Sequence, residues 1–361
     1  MRIAIQPDLV RQPNGEIQSF SERWIELAGE RGVDVELVDV FAEHALETIA
    51  RCDGFMWRYG FDPVSLNCAK RLLSAVEHGL SIPVFPDHRT AWHFEDKIAQ
   101  AYLLEALKIP TAATRIFWDK AAALRFCREA AYPFVAKLSV GIRGNNVVLV
   151  RSEAEARAIV ARLFGRGVRT LREPAFFSAA WLKRLRLLRR LWGKPVWRGV
   201  ERDYLLAQDF LPDNPFDIRV TVIGERAYAF KRMNRPEDFR ASGSGRIIWD
   251  PGEIPPDAVA FAFDMADRIG AQSVAFDILR AAGEPVATEI SYTFAAWAIR
   301  DCPGHWKRAG ETKRDIVWVA GPLRAEDAIF EDFVAGIQEA AGVQIAPLSR
   351  KRRTAFRLKR L

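Results

Sequence analysis

The first 93 residues alternate short apolar runs with longer amphipathic segments. Four apolar runs have the length and composition of strands buried in a sheet: residues 3–5, 33–40, 54–57 and 82–85. Between them, apolar side chains recur at helical spacing over residues 18–32 and 64–78. Strands that alternate with helices are typical of parallel sheets. The pattern therefore predicts an N-terminal α/β lobe over residues 1–93, built on an open parallel sheet.

The pattern changes after residue 93, where helical segments are separated by pairs of alternating strands. Helical spacing predicts five further helices: residues 96–107, 124–131, 154–164, 258–269 and 326–341. Alternating runs predict seven strands: residues 133–137, 147–150, 204–212, 217–223, 226–232, 274–281 and 286–291. We expect an α+β region that divides into residues 94–205, with a basic insert at 165–202, and residues 206–348, followed by a basic tail at 349–361.

A predicted hairpin over residues 274–291 holds two acidic residues in its apolar strands. If the hairpin is centred on Gly283, Asp277 falls directly opposite Glu289. Opposed carboxylates repel each other, so a half-buried pair needs a shared proton, a basic residue or a divalent cation. Mg²⁺ prefers one or two carboxylates together with substrate phosphates. The alternative is an exposed hairpin face with solvated acids.

A second predicted hairpin carries a buried-looking lysine and a loop that contains glycine. Lys137 ends the strand over residues 133–137, and Gly141 and Gly144 follow in the loop. Glycines permit backbone conformations that point successive N–H groups at an anion, and a buried ammonium needs a partner. A phosphate would explain both features. The loop lacks the GxxxxGK[ST] order of a P-loop, and a flexible surface loop is the alternative.

The net charge of +7 is concentrated in two places. Eleven Lys and Arg lie in residues 166–202 against two acids, and seven lie in residues 350–360 with none. Residues 178–192 have the spacing of a basic amphipathic helix, which is typical of helices on anionic membranes. The alternatives are a clamp for an anionic substrate or partner, and a helix packed on its own protein. Charge alone would allow nucleic acid, but no nucleic-acid module accompanies it, so this partner is not expected.

Composition excludes several classes of protein. Hydrophobic residues make up 49% of the chain, which is enough for a sizeable core. The four cysteines are scattered without a CxxC pair, so neither zinc nor a disulfide framework is expected. No run approaches the roughly 20 apolar residues of a membrane span, and the N-terminus does not resemble a secretory signal. We expect a cytoplasmic protein, with a peripheral position at the inner face of the membrane if the basic segments bind lipid.

Residues 95–291 together resemble the ATP-grasp superfamily, specifically its glutathione-synthetase and glutamate-ligase (RimK-type) branch. The strand ending at Lys137 and its glycine loop resemble the phosphate-gripping hairpin of that family. Residues 208–211 resemble its adenine-binding hinge, and residues 238–245 resemble the loop before its catalytic lobe. Asp277 and Glu289 match its Mg²⁺ carboxylates. The resemblance implies an N-terminal α/β lobe followed by two α+β lobes that sandwich ATP.

The resemblance also implies roles for individual residues. The implied nucleotide-binding residues are Lys97, Lys137, Gly141, Gly144, Gln208, Asp209, Phe210 and Leu211. The implied catalytic residues are Arg219, Arg240 and Lys231, with both arginines at an acyl phosphate or a substrate carboxylate. The implied ligands of Mg²⁺, with Mn²⁺ as the alternative ion, are Asp277, Glu289 and Ser291. The branch usually has Glu-x-Asn where this chain has Glu289-Ile-Ser291, and a serine hydroxyl is a weaker Mg²⁺ ligand than an asparagine oxygen.

The activity that the resemblance implies is an ATP-dependent ligase. A substrate carboxylate would form an acyl phosphate, which an amine, or a thiol, would then attack. The segment after Ser291 resembles proteins associated with surface polysaccharides, which suggests a polysaccharide or peptide precursor as substrate. The alternatives are a kinase on the same scaffold and a weakly catalytic, nucleotide-binding partner protein at a membrane. The sequence gives neither the two substrates nor the oligomeric state.

Overall fold

The computed structural model describes residues 1–361 except 9, 12–16, 142–145, 172–198, 237, 311–314, 341 and 343–361. Three predicted features lie outside the described residues: Gly144, the basic helix over 178–192 and the tail over 350–361.

Seventeen strands are found in the described part of the chain. They are β1 (Arg2–Ile5), β2 (Val10–Arg11), β3 (Ile17–Gln18), β4 (Asp34–Leu37), β5 (Gly54–Met56), β6 (Val84–Phe85), β7 (Thr114–Phe117), β8 (Phe134–Lys137), β9 (Val147–Val150), β10 (Leu205–Asp209), β11 (Phe216–Ile223), β12 (Arg226–Met233), β13 (Ile247–Ile248), β14 (Ser273–Ala281), β15 (Glu284–Ser291), β16 (Gly304–Ala309) and β17 (Asp315–Ala320).

Ten α-helices are found in the same residues. They are α1 (Phe20–Glu30), α2 (Ala45–Ile49), α3 (Pro63–Ser74), α4 (His88–Ala91), α5 (Lys97–Ala106), α6 (Lys120–Glu129), α7 (Glu153–Leu163), α8 (Pro256–Ile269), α9 (Ala296–Arg300) and α10 (Ala325–Ala340). A single π-helical turn, Ala75–Gly79, continues α3, and a short 3₁₀ turn, Pro251–Glu253, precedes α8.

The predicted N-terminal parallel sheet is confirmed. Its four strands lie in the order β4-β1-β5-β6, and all three pairings are parallel. The first helix starts where Ser19 accepts a hydrogen bond from the backbone N–H of Glu22, which satisfies a free donor of the first turn. Helix α6 starts at Lys120, four residues before the predicted start, because Asp119 caps it in the same way.

The rest of the fold contains two antiparallel sheets. Strands β7, β10, β8 and β9 form the first, in that order. The second has seven strands in the order β15-β14-β11-β12-β16-β17, with β13 beside β12. The pattern of apolar residues did not predict the pair β16 and β17.

The two faces of the seven-stranded sheet have different partners. On one face Val220, Val222 and Phe276 pack against α8 in a single apolar core. Because side chains alternate along a strand, Arg219 and Asp277 lie on the opposite face. Tyr228 also lies on that face, in the core that includes Phe330 of α10.

A shared core fixes the N-terminal lobe to the seven-stranded sheet. Trp24 of α1 and Phe330 of α10 are both fully buried in one cluster that includes residues of both sheets. The indole N–H of Trp24 donates to the carbonyl oxygen of Glu326 at 3.1 Å, and Arg23 pairs with Asp327 at 2.7 Å. The C-terminal helix therefore packs on the first helix and closes the fold.

Among the described residues, no helix has the length and apolarity needed to cross a membrane. The four cysteines form no disulfide.

Candidate active site

A cavity of about 410 Å³ lies between the sheet containing β8 and the sheet containing β14. Apolar side chains line part of it, including Val135, Val147, Phe239 and Leu279. Eight of the predicted site residues also line it: Lys137, Gln208, Asp209, Phe210, Leu211, Arg240, Asp277 and Glu289. Apolar surface combined with a few convergent charged groups is typical of a small-molecule site.

A β-bulge places the two carboxylates opposite each other. The hairpin turns at Ala282 and Gly283, both with positive φ, so Ile278 pairs with Ala287. A regular continuation would set Asp277 opposite Thr288 and turn Glu289 to the other face of the sheet. Instead the register shifts by one residue between Ile278 and Asp277, so that Asp277 pairs with Glu289. The predicted pairing is therefore confirmed, but it depends on an extra residue in β15 and not on symmetry about Gly283.

Asp277 is buried and compensated by two guanidinium groups. Its Oδ1 accepts from Nε of Arg219 at 2.6 Å, and its Oδ2 lies 2.7 Å from Nη2 of Arg232. Arg232 also forms a bidentate contact with Asp217, at 2.7 and 2.5 Å. Burial alone would raise the pKa of Asp277, but the two arginine charges outweigh it and lower that pKa. The carboxylate is therefore ionised at neutral pH.

Glu289 is paired with a different cation. Its Oε1 lies 3.2 Å from Nζ of Lys97, which also donates to the carbonyl oxygen of Gly141 at 2.8 Å. Lys97 is the first residue of α5, and Asp96 caps that helix by accepting from two backbone N–H groups. Burial alone would lower the pKa of Lys97, but Glu289 and Glu95 raise it. One short segment therefore links the glycine loop to the carboxylate pair.

Lys137 differs from the other cations of this site. Among the described residues its ammonium donates one hydrogen bond, to the carbonyl oxygen of Thr288 at 3.3 Å, and it has no ion pair. Burial lowers its pKa from the usual 10.5 to about 8. A half-buried cation with so little compensation is suited to an anionic ligand.

The predicted hinge follows β10. The side-chain amide of Gln208 donates to Oγ1 of Thr114 at 2.9 Å, and Asp209 pairs with Arg115 at 2.5 Å. The ring of Phe210 lies edge-on to Phe239, with centroids 5.9 Å apart. The hinge segment therefore contacts both the β7 side and the 238–245 loop.

The remaining predicted residues fall in different places. Arg240 contacts Asp238 at 2.7 Å and the carbonyl oxygen of Val147 at 3.1 Å, at the cavity wall. The hydroxyl of Ser291 lies on the same strand as Glu289 and donates to the carbonyl oxygen of Thr293 at 2.7 Å. Lys231 is not brought to the cavity, because alternation places it on the opposite face of β12, where it pairs with Glu253 at 2.8 Å.

Its neighbour Arg232 is the residue that reaches the carboxylates. The sequence holds both basic residues side by side, and the acid directly across the sheet, Asp217, is the signal that identifies Arg232. A carboxylate and a guanidinium at directly paired positions attract each other, which places both on the site face.

The carboxylate pair fits a magnesium ion. Among the described residues there is no group of three or more His, Cys, Asp or Glu side chains that could hold a metal. Two carboxylates supply only part of a coordination shell, and Mg²⁺ usually takes the rest from phosphates and water. Zinc would need a fuller set of protein ligands. Asp277 and Glu289, with the nearby hydroxyl of Ser291, would hold the ion.

Comparison with solved structures places this architecture. D-alanine–D-alanine ligase from Bacillus anthracis aligns over 94% of this chain and 99% of its own, at 12% identity and a TM-score of 0.51. N5-carboxyaminoimidazole synthetase from Staphylococcus aureus aligns over 81% of this chain and 70% of its own, at 11% identity and a TM-score of 0.50. A RimK-domain ATP-grasp protein from Sphaerobacter thermophilus aligns over 84% of this chain and 95% of its own, at 18% identity and a TM-score of 0.49.

No protein-family profile matches the sequence, and neither does any curated protein. At these identities the structural likeness establishes the fold alone. The chain has the ATP-grasp fold.

Proposed function

We propose that the protein is an ATP-dependent ligase that joins a carboxylate to an amine, or to a thiol. One observation carries the proposal: Lys137, a half-buried cation without an ion pair among the described residues, shares a cavity with the directly opposed carboxylates Asp277 and Glu289. The ammonium can take an anion, and the two carboxylates, besides their arginine and lysine partners, can hold a divalent cation. Mg²⁺-ATP supplies both.

The other lining residues suit the rest of the nucleotide. Val135, Val147, Phe239 and Leu279 offer apolar surface to a planar base, and the segment that starts at Gln208 offers polar groups at its edge. Lys137 would contact the phosphates, and Asp277 and Glu289 would hold Mg²⁺. The ion supplies neutralisation of the phosphate charge, which is the main requirement of phosphoryl transfer.

The reaction then proceeds in two displacement steps. An oxygen of the substrate carboxylate attacks the γ-phosphorus of ATP, the bond to the β,γ-bridging oxygen breaks, and ADP leaves with that electron pair. The amine attacks the carbonyl carbon of the acyl phosphate, inorganic phosphate leaves, and the amine loses a proton to solvent or buffer. Arg219, Arg232 and Arg240 orient the anionic groups, since guanidinium groups match carboxylate and phosphate geometry.

Three predictions from the sequence concern the substrates and the location of the protein. A surface-polysaccharide or peptide precursor, a cytoplasmic location and a membrane contact through residues 178–192 and 350–361 stay predictions of the sequence.

The test is ATP binding by calorimetry with and without Mg²⁺, on the wild type and on Glu289→Gln. Loss of one of the two carboxylates should weaken Mg²⁺-dependent binding at least about tenfold, by analogy with other metal-site substitutions. Glu289 is preferred to Asp277 for this test because Asp277 also compensates the buried Arg232 and the half-buried Arg219, so its loss would disturb the fold. Glu284→Gln, an exposed position on the same hairpin, is the matched control.

Unchanged Mg²⁺-dependent affinity in Glu289→Gln would contradict the metal assignment. If the wild type binds no ATP at all, the proposed function is wrong. ADP release measured with candidate carboxylates and amines separates the ligase from a kinase. A ligase needs both substrates for full turnover, whereas a kinase turns over with one.

A further inference from the structure

A second cavity of about 330 Å³ adjoins the first. The two cavities share Ala241 and Ser242 as lining residues, so they meet at the loop after Arg240. Arg219 and Arg232 line the second cavity, while Asp277, which both contact, lines the first. The arginine pair therefore separates the place proposed for the phosphates from this second space.

The arginine wall retains hydrogen-bond donors. Arg219 uses Nε and Nη2 on Asp277, and Arg232 uses Nε and Nη2 on Asp217 and Asp277. Among the described residues, no contact engages Nη1 of either guanidinium. Among the described residues, neither Nη1 is a fully buried atom without a partner, so both can be reached from the cavity. A ligand acceptor in the cavity would satisfy them.

The cavity also has an apolar and aromatic wall, part of which lies beside the arginines, since Phe230 pairs with Arg219 and Ile247 with Arg232. Phe230, Phe294 and Trp297 line it together with Ile247 and Ile299. Phe230 and Phe294 are buried, and Trp297 is half-buried. Such a wall suits a flat or branched apolar group. The polar side chains of the remaining lining, Thr221, Ser242 and Ser244, offer hydroxyl groups but no further cation.

Contacts behind the wall hold it in place. The indole of Trp249 packs edge-on to Trp297 with centroids 6.4 Å apart, and its N–H donates to the carbonyl oxygen of Ala298 at 2.9 Å. Phe294 packs on Phe20 at 6.0 Å, and its carbonyl oxygen accepts from Arg58 at 3.2 Å. The wall is therefore formed before any ligand arrives, which reduces the entropy lost on binding.

We propose that this cavity binds the acceptor substrate, and that the acceptor is a monocarboxylate with an apolar, ring-sized body. This inference rests on the proposed function, since it assigns the carboxylate that receives the phosphoryl group. The carboxylate contacts the free donors of Arg219 and Arg232, and the apolar body packs on Trp297, Phe294 and Phe230. A dicarboxylate binds less tightly, because the lining offers its second charge hydroxyl groups but no third cation.

Three matched ligands test the two halves of the inference. They are 3-phenylpropionate, propionate, which lacks the ring, and 3-phenylpropanamide, which lacks the charge. Each is titrated by calorimetry into the full chain, alone and after saturation with Mg²⁺ and a non-hydrolysable ATP analogue. We expect 3-phenylpropionate to bind at least about tenfold more tightly than either of the others, since both the apolar body and the charge contribute to recognition. Succinate serves as the dicarboxylate comparison.

Trp297→Ala identifies the site. This variant should lose at least about tenfold of the affinity for 3-phenylpropionate while binding the ATP analogue as the wild type does. Trp297→Phe, which keeps an aromatic wall, should retain most of the affinity. Trp118→Ala, at a tryptophan that is 56% exposed and directly follows β7, should change neither.

The outcomes separate this inference from the proposed function. If propionate or succinate binds as tightly as 3-phenylpropionate, the claim that the cavity recognises an apolar body is wrong. If 3-phenylpropanamide binds as tightly, the claim that the arginines contact a carboxylate is wrong. Undiminished affinity in Trp297→Ala would overturn the site. Each of these results can occur while Mg²⁺-ATP still binds, in which case the ligase proposal stands. Absence of nucleotide binding refutes the ligase proposal instead.

Discussion

Replacing Lys137 with Met should make the ligand-free protein more stable and its ATP binding much weaker. The ammonium is held in a half-buried position with one hydrogen bond and, among the described residues, no ion pair. Burial lowers its pKa from 10.5 to about 8. At about 1.4 kcal/mol per pH unit, that difference corresponds to a cost of about 3 kcal/mol at neutral pH. Methionine removes the charge and keeps much of the volume.

The expected net gain is smaller than this cost. The substitution also removes the hydrogen bond to Thr288, which contributes about 1 kcal/mol. A gain of about 2 kcal/mol remains, equivalent to a rise in melting temperature of about 2–4 °C for a chain of this length. Thermal unfolding monitored by circular dichroism measures it. Lys307→Met, at an exposed strand position, is the control and should change stability by less than about 0.5 kcal/mol.

The pH dependence gives the reasoning a second check. Below pH 8 the lysine is protonated in both the folded and the unfolded chain, so the wild type bears the full cost. Between pH 8 and 10.5 the unfolded chain binds more protons than the folded one, so the stability of the wild type rises with pH. The advantage of Lys137→Met should therefore be largest near pH 7 and shrink towards pH 10.

A destabilised Lys137→Met protein would refute this argument, because it would mean that the ammonium is already well compensated without a ligand. A gain that does not depend on pH would refute the assignment of the effect to charge burial. ATP affinity, measured by calorimetry at pH 7, should fall in the same variant. A substitution that raises the stability of the protein and lowers its affinity for ATP is expected only at a position that serves ligand binding.

Two further predictions concern the compensated charges and the shared core. Arg232→Met should lower the free energy of unfolding by about 3–5 kcal/mol, because it leaves Asp217 and Asp277 without their common partner. The control Arg268→Met, in an exposed i,i+4 pair, should change this free energy by less than about 0.5 kcal/mol. Equal effects of the two substitutions in thermal unfolding would contradict this prediction. Phe330→Ala should lower the free energy of unfolding by about 3–5 kcal/mol, because this ring fills the core that both lobes share. The substitution should also loosen the N-terminal lobe, which is measured as faster hydrogen exchange in α1. Protection of α1 equal to that of the wild type would show that the core does not couple the two lobes.

The periodicity of the chain was sufficient to predict the N-terminal sheet and most helices. Short apolar runs separated by amphipathic segments predict a parallel sheet, and β1, β4, β5 and β6 form one. The pair β16 and β17 was missed because its residues do not alternate cleanly. Val317 and Trp318 are adjacent in sequence, and both are exposed on the last strand of the sheet.

Residues of the site could be predicted only where nearby residues in the sequence form a recognisable pattern. The spacing of Asp277 and Glu289 pointed to their pairing, although the bulge at Thr288 is visible only in the register. Choosing between Lys231 and Arg232 required the partner across the sheet. The second cavity has no local signature, because its walls come from β11 and β12, the 241–247 segment and α9, which meet only in the folded chain.

The two-residue turn of the β14–β15 hairpin gives experimental access to the site. Gly283 has φ of +89° and open space around its Cα, and Ala282 beside it is exposed. A fluorophore is best attached at position 282, where a residue other than glycine already adopts a positive φ, whereas any side chain at position 283 would be strained. Because the same two strands carry Asp277 and Glu289, a label there is attached to the carboxylates through four continuous residue pairs and the bulge that follows them. Its emission would report occupation of the cleft in real time, with no need to know the substrate beforehand.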